Sequence, residues 1–188
     1  MRDLRQHVSS TVSGLFSLGG QPDAALIQQR VLPHPAFEGV TYQGIPDVRV
    51  ILYRRVPAMA MLRLPTRLSG GRANLHQGAI GAGLDLETGR TTRAVLRNRV
   101  AERHPDTGAS VIGFRVPHWP RVVQMAKQVS RATGMGYVGV DVVVDRHRGP
   151  LLLEANARPG LAIQIANGRG LLRRFEEIDR ELGGGTES

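Results

Sequence analysis

The sequence predicts an α+β protein in which helices flank one antiparallel β-sheet. Short apolar runs alternate with turns that contain glycine or arginine, which is typical of β-hairpins. Only a few segments have the apolar spacing of amphipathic helices. The apolar fraction of 41% and the charged fraction of 22% are those of a globular protein with a core. We therefore expect a single layered unit.

The N-terminal part of the chain is expected to differ from the rest. Residues 1–20 have helical spacing and end at Gly19-Gly20, with apolar side chains at Leu4, Val8, Val12, Leu15 and Phe16. The apolar run Ala24–Leu32 fits a short helix or a buried strand, and strand is favoured towards its end. We expect three parts: residues 1–20, the main unit 21–182 and a disordered tail 183–188. Residues 1–20 do not resemble the start of a domain.

The middle of the chain predicts strands joined by short turns. A strand pair is expected around Arg54-Arg55, followed by a loop over Thr66–Arg72. A strand over Ala73–Ile80 is expected to turn at Gly81-Ala82-Gly83 into Leu84–Glu87. The full set of expected strands here is Asp47–Tyr53, Val56–Leu64, Ala73–Ile80, Leu84–Glu87 and Thr91–Asn98.

Two helices and a last hairpin are expected in the C-terminal part. Trp119-Pro120 opens a helix that continues to about Ala132, because proline is favoured at the first helical positions. Tyr137–Val144 and Pro150–Ala155 form the hairpin. Leu161–Ala166 is short and apolar, and Leu171–Leu182 is the second helix.

The hairpin carries the most informative side chains of the sequence. If Arg146–Gly149 is a four-residue loop, Asp145 pairs with Pro150 and Asp141 lies opposite Glu154, with Asn156 on the same face. Like charges directly opposite each other destabilise a sheet. A hard cation such as Mg²⁺ or Mn²⁺ would resolve this conflict, since it prefers carboxylate and amide oxygens. The alternative is an acidic face paired with nearby arginines.

Composition excludes several classes of site. The chain has no cysteine, so disulfides and thiolate chemistry are absent. The net charge of +9 comes almost entirely from arginine, and the arginines are scattered rather than clustered, so no nucleic-acid partner is expected.

Gly134–Gly139 matches G-x-G-x-x-G but follows a helix and opens a strand, the reverse of a dinucleotide site. No apolar signal core or membrane-length run occurs, so a cytoplasmic location is expected.

Several segments together resemble the ATP-grasp ligases, in particular the RimK-type glutamate ligases. The hairpin strand with Leu152–Gly160 (LLEANARPG) resembles their closing motif, an aspartate strand followed by Glu-x-Asn and a Pro-Gly turn. Asp47–Val50 resembles their Asp-hydrophobic-Arg strand. The segment Arg72–Gly78 resembles their Arg-x-Asn segment. Val56–Thr66 and Arg158–Asn167 are similar to a subgroup of alpha-L-glutamate ligase homologues, the sugar-transfer-associated ATP-grasp proteins.

The resemblance implies an ATP- and Mg²⁺-dependent (or Mn²⁺-dependent) ligase that joins a carboxylate to an amine through an acyl phosphate. The partners would be ATP and small-molecule or peptide carboxylates and amines. It implies that Asp141, Glu154 and Asn156 bind the metal. It also implies that four residues contact phosphates, the acyl phosphate or the acceptor: Arg49, Arg72, Asn74 and Arg158. A further set would contact adenine, namely Gln28, Gln29, Arg30, Val31 and Leu153.

The sequence departs from this pattern in one respect. ATP-grasp proteins bind nucleotide between two lobes, and no glycine-rich loop with phosphate-binding lysines is present, since Lys127 is the only lysine and lies within a predicted helix. We therefore expect a C-terminal catalytic lobe without its N-terminal lobe, with 1–20 as a remnant of the preceding lobe. Two alternatives stay open: a truncated, inactive ATP- and Mg²⁺-binding module, and a basic nucleic-acid-binding domain.

Overall fold

The computed structural model describes residues 2–183, and the chain divides into two compact units, residues 1–30 and 31–188. The predicted tail 183–188 falls almost entirely outside the described residues, and Gly183 is the last residue of a helix rather than part of a tail. Among the described residues, no helix is both long and apolar enough to cross a membrane.

The first unit contains the predicted N-terminal helix, α1 (Arg2–Val12), and a 3-10 turn at Leu18–Gly20. The strand expected towards the end of Ala24–Leu32 is wrong, because residues 21–32 adopt no regular structure. Leu26 and Ile27 are about four-fifths exposed, at 81% and 79%. An apolar run forms a strand only where it pairs along its length and covers a surface; here Leu32, at the end of the run, accepts a hydrogen bond from the Arg146 N–H, while Leu26 and Ile27 stay exposed.

The second unit is built on a seven-stranded, fully antiparallel sheet with strand order β5-β4-β3-β2-β1-β6-β7. The α+β prediction is therefore confirmed. The strands are β1 (Asp47–Tyr53), β2 (Val56–Leu64), β3 (Ile80–Leu84), β4 (Thr91–Leu96), β5 (Arg99–Val100), β6 (Tyr137–Asp145) and β7 (Gly149–Asn156).

Helices cover both faces of the sheet. The helix α2 (Trp119–Thr133) packs on the larger core, which contains Val50, Leu62 and Val140. On the opposite face lie α3 (Ala162–Asn167) and α4 (Leu171–Gly183), which pack over a smaller core around Ile51. Successive strand residues alternate between these faces, so Asp47, Arg49 and Asp141 lie on the face of α3 and α4.

The hairpin of β1 and β2 has the predicted bounds. Asp47 pairs with Arg63, and the strands are joined at Arg54-Arg55, both of which have positive φ angles of 48° and 70°. Two consecutive left-handed residues are the geometry of the type I′ turn, whose twist matches that of the flanking strands.

The segment around β3 corrects the sequence-based expectation. Most of Ala73–Ile80 is not a strand but contains a 3-10 turn at Leu75–Gln77, and the expected turn at Gly81-Ala82-Gly83 is the middle of β3. The glycines are there for close packing: a Cβ at Gly81 would lie 2.7 Å from the Leu75 side chain, and one at Gly83 would lie 2.8 Å from the Ala166 carbonyl oxygen. Glycine within a strand marks such close approaches.

Candidate functional site

The β6–β7 hairpin places Asp141 directly opposite Glu154, as the sequence predicts. The turn itself differs from the prediction, because Asp145 pairs with Gly149 rather than with Pro150. The loop is one residue shorter since the Asp145 carboxylate accepts hydrogen bonds from the backbone N–H groups of His147 and Arg148, both at 3.0 Å. A β-bulge at Leu153 then shifts the register by one residue and restores the expected pair.

Arg49 and Arg63 neutralise the buried Asp141 carboxylate. Arg49 donates from Nε to Oδ1 at 2.7 Å and from Nη2 to Oδ2 at 2.6 Å, while Arg63 donates from Nη2 to Oδ2 at 2.8 Å. The Asp141 side chain has no exposed surface. Bidentate pairing between a guanidinium and a carboxylate is the strongest form of charged hydrogen bond. The arginines thus relieve the repulsion that the sequence places between Asp141 and Glu154.

Arg63 also connects this pair to a second buried carboxylate, Asp47. Its Nε and Nη2 atoms donate to the two Asp47 oxygens at 2.5 and 2.7 Å. Burial raises the pKa of Asp47 to about 6, although the charge of Arg63 opposes that effect. Burial also acts to raise the pKa of Asp141, but hydrogen bonds and charges from Arg49 and Arg63 outweigh it and lower that pKa. Asp141 is therefore the more firmly ionised of the two.

Glu154 forms the open side of this cluster. Its side chain is 54% exposed, and its Oε1 atom lies 3.8 Å from Nη2 of Arg49. Asn156 donates from Nδ2 to the same Oε1 atom at 2.8 Å. Two carboxylates and an amide thus line up along neighbouring strands, from the buried Asp141 to the exposed Glu154.

The predicted metal site fits this arrangement only in part. The exposed Glu154 and the half-buried Asn156 supply oxygens of the kind that Mg²⁺ prefers. Asp141 is already held by two guanidinium groups, so a cation could contact it directly only by displacing one of them. Between residues 2 and 183, no group of three or more histidine, aspartate or glutamate side chains is arranged to hold a metal.

A cleft of about 300 Å³ opens in front of the cluster. It brings Asn74 together with Arg49 and Glu154, as the resemblance implies. Its lining residues are Arg49, Met61, Arg63, Ala73, Asn74, Leu75, His76, Glu154, Gly160 and Ala162. The Asn74 Oδ1 atom accepts a hydrogen bond from the His76 backbone N–H at 2.9 Å, so this side chain also caps the 3-10 turn.

Other predicted site residues lie outside this cleft. Arg72 and Arg158 are exposed and do not belong to its lining, although both are close in sequence to residues that do. Leu153 is 57% exposed at the bulge of β7. The predicted adenine segment is split, with Gln28, Gln29 and Arg30 in the first unit and Val31 in the second. The cleft and the carboxylate cluster beside it are built from the second unit alone.

Sequence reasoning assigned no role to Arg63 and none to Asp47 individually. The turn alone did not reveal this pair, since a two-residue turn at Arg54-Arg55 pairs Tyr53 with Val56 and would place Asp47 opposite Leu62. A β-bulge at Ala58 shifts the register by one residue and brings Arg63 opposite Asp47. The contact of Arg63 with Asp141 depends on β1 lying between β2 and β6, and that strand order is not a local property of the sequence.

An antiparallel lobe with a cleft lined by arginine and glutamate beside a Glu-x-Asn strand agrees with the resemblance to ATP-grasp proteins. The sequence pattern of the family described as sugar-transfer associated ATP-grasp matches residues 1–180. The chain therefore belongs to the sugar-transfer-associated ATP-grasp family, and the resemblance stated from its motifs is confirmed.

One named relative matches a shorter stretch. A protein of Parasynechococcus marenigrum named "Probable alpha-L-glutamate ligase" is 42% identical to this chain over 66 residues, which are 34% of this chain and 14% of that protein. The chain thus spans a small part of the length of this relative.

Proposed function

We propose that the chain contributes to an ATP-dependent carboxylate–amine ligase, which forms an amide bond through an acyl phosphate. The observation that carries this proposal is the cleft that brings Arg49, Asn74 and Glu154 together in a member of the ATP-grasp family. In such a reaction, ATP phosphorylates a carboxylate, and the amine then displaces phosphate. Phosphoryl transfer mainly requires that groups are positioned and that charge is neutralised.

The residues of the cleft suit these tasks. Arg49 lines the cleft and is fixed by Asp141, and its guanidinium group would contact a phosphate or an acyl phosphate. Glu154 and Asn156 would hold Mg²⁺ or Mn²⁺, with Asp141 as a third ligand if an arginine gives way. A bound metal would supply positive charge that offsets the charge of the ATP phosphates. Asn74 would face the transferring phosphate.

Four further roles rest on the resemblance to family motifs. Arg72 would contact the transferring phosphate, and Arg158 would hold the carboxylate of the acceptor or a phosphate. Residues 28–31 would offer backbone groups to adenine, and Leu153 an apolar surface. Glutamate as a substrate is suggested by the name of the relative. The cytoplasmic location and the lack of a nucleic-acid partner stay predictions.

Calorimetric titration of Mg²⁺-ATP tests the proposal. We expect the Glu154→Gln variant to bind Mg²⁺-ATP at least tenfold more weakly than the native chain, because it removes the exposed carboxylate of the cluster. Glu87→Gln, on an exposed turn between β3 and β4, is the matched control and should bind like the native chain. ATP titrated with EDTA present should give weaker binding. Absence of any Mg²⁺-ATP binding by the native chain, or equal binding by both variants, would overturn the proposal.

An ATP-binding module without turnover is the second candidate. The pairing of both Asp141 oxygens with arginine favours it, since Asp141 is then less available to a metal. ADP release separates the two candidates. Release that depends on an added carboxylate and amine indicates the ligase, while binding of Mg²⁺-ATP without release across a panel of amino acids and peptides indicates the module.

A further inference from the structure

A second cavity lies beside the cleft and differs from it in chemistry. Its volume is about 170 Å³, and its walls are mainly apolar, contributed by Leu75, Ala79, Val95, Ala162 and Ile165. For comparison, an apolar cavity of about 150 Å³ is large enough to hold benzene. The size and lining therefore suit a branched aliphatic side chain.

The cavity and the cleft share one wall. Leu75, His76 and Ala162 line both spaces, so a molecule in the cavity lies next to the arginine–carboxylate cluster. Leu75 can take this position because Gly81 has no side chain; a Cβ there would lie 2.7 Å from Leu75 Cδ2. The exposed His76 is the polar group at this boundary.

The lining of the cavity also carries a positive charge. Arg97 and Asn98 form the turn between β4 and β5, with φ angles of 48° and 64°, and both exposed residues line the cavity. The cavity is thus lined by a guanidinium group and an amide, which can hold a carboxylate.

We propose that this cavity is the subsite for the amine substrate, and that the substrate is an aliphatic α-amino acid. Its side chain would occupy the apolar walls, its carboxylate would bind Arg97, and its amino group would face His76 and the cleft. This inference rests on the proposed ligase function and specifies its acceptor, and of the two roles proposed for Arg158 it leaves the contact with a phosphate.

The chemistry at the shared wall follows from this placement. The ammonium group loses a proton to the His76 imidazole, and the free amine nitrogen attacks the acyl carbon of the acyl phosphate. The C–N bond forms, the C–O bond to phosphate breaks, and inorganic phosphate leaves and takes up the second proton of the nitrogen. Proton transfer by a positioned histidine is a common contribution to such steps.

Methyl NMR of the native chain tests the subsite directly, with L-leucine as the probe. We expect L-leucine to shift the methyl resonances of Ile165 and Val95, and L-glutamate to have at least tenfold lower affinity. Ile165→Glu should weaken L-leucine binding at least tenfold, because it places a charge in the apolar wall. Leu172→Glu replaces another exposed apolar residue, on α4, and should have no effect; the methyl spectrum of each variant without ligand shows whether it is folded. Unchanged L-leucine binding by Ile165→Glu would overturn the subsite.

The carboxylate contact has its own test. Leucinamide lacks the free carboxylate and should bind at least tenfold more weakly than L-leucine to the native chain. Arg97→Gln should abolish that difference, while Arg55→Gln, at the exposed turn of the β1–β2 hairpin, should keep it. A difference that survives in Arg97→Gln would overturn the role of Arg97.

Three results keep this inference separate from the ligase proposal. If the chain binds Mg²⁺-ATP but not L-leucine, the subsite is overturned and the ligase proposal stays intact. If the chain binds L-leucine but not Mg²⁺-ATP, the subsite is supported and the ligase proposal is overturned. Leucine hydroxamate formed in the presence of ATP and hydroxylamine would show that leucine is the activated carboxylate, which would overturn its role as amine.

Discussion

Replacement of Arg63 by methionine should destabilise the fold more than any surface substitution. Arg63 is the shared partner of Asp47 and Asp141, and its side chain is only 13% exposed. Removal of one partner from a buried ion pair costs about 3–5 kcal/mol, because the other charge is left without compensation. We therefore expect Arg63→Met to lower the free energy of unfolding by about 3–5 kcal/mol at pH 7.5.

The loss should depend on pH in a defined direction. The pKa of Asp47 is raised to about 6 in the native protein, and it rises further without Arg63. A carboxyl group whose folded pKa is above its unfolded value favours the folded state at low pH, and this contribution disappears as the pH rises through the folded pKa. The variant binds this proton over a wider pH range than the native chain. At pH 5 the difference between them should therefore be smaller by about 1–2 kcal/mol.

Urea denaturation followed by circular dichroism at pH 7.5 and pH 5 measures both quantities. Arg55→Met, on an exposed turn, is the control and should change stability by less than about 0.5 kcal/mol. The double variant Asp47→Leu/Arg63→Met removes the stranded charge and should recover at least half of the loss. A loss below about 1 kcal/mol for Arg63→Met, or a loss that is independent of pH, would refute the reasoning.

Two further substitutions test the closing hairpin. Gly139→Ala places a Cβ 2.5 Å from Cβ of Pro159, so it should lower the free energy of unfolding by about 1–3 kcal/mol, measured by urea denaturation. Gly136→Ala is the control and should not lower it, because the space around Gly136 is open. Asp145→Asn should lower the thermal midpoint, since backbone hydrogen bonds from Leu32, His147 and Arg148 lower the Asp145 pKa. That difference should begin to shrink as the pH falls below about 4, but most of it should persist at pH 3, because the folded pKa of Asp145 is lowered well below that pH; a difference already closed at pH 3 would contradict it.

The strands that the sequence predicts correctly are those defined by local alternation. The pairs of β1 with β2 and of β6 with β7 follow from apolar runs joined by short turns, and their bounds agree within a residue. The pair of Asp141 with Glu154 was predicted with the wrong turn. The structure departs from the predicted hairpin in two ways that cancel: the Asp145 hydrogen bonds shorten the loop by one residue, and a bulge at Leu153 shifts the pairing back by one residue.

The features that the sequence does not reveal depend on contacts between distant segments. Gly81 and Gly83 indicate a turn when only their neighbours are considered, but they lie within a strand because Leu75 and α3 approach the sheet closely there. The pairing of Arg63 with Asp141 depends on β1 lying between their strands. A pattern of side chains within one hairpin cannot give the order of strands in the whole sheet.

The charge balance of the cluster indicates where a cation would act. Three carboxylates, those of Asp47, Asp141 and Glu154, face two guanidinium groups, so one negative charge is left over. That charge belongs to Glu154, since Asp47 and Asp141 are buried and bidentately paired. A cation that compensates it would bind at the exposed end of the cluster. Asp141 would then serve the site mainly by fixing Arg49, so that loss of Asp141 would affect folding first and loss of Glu154 would affect Mg²⁺-ATP binding first.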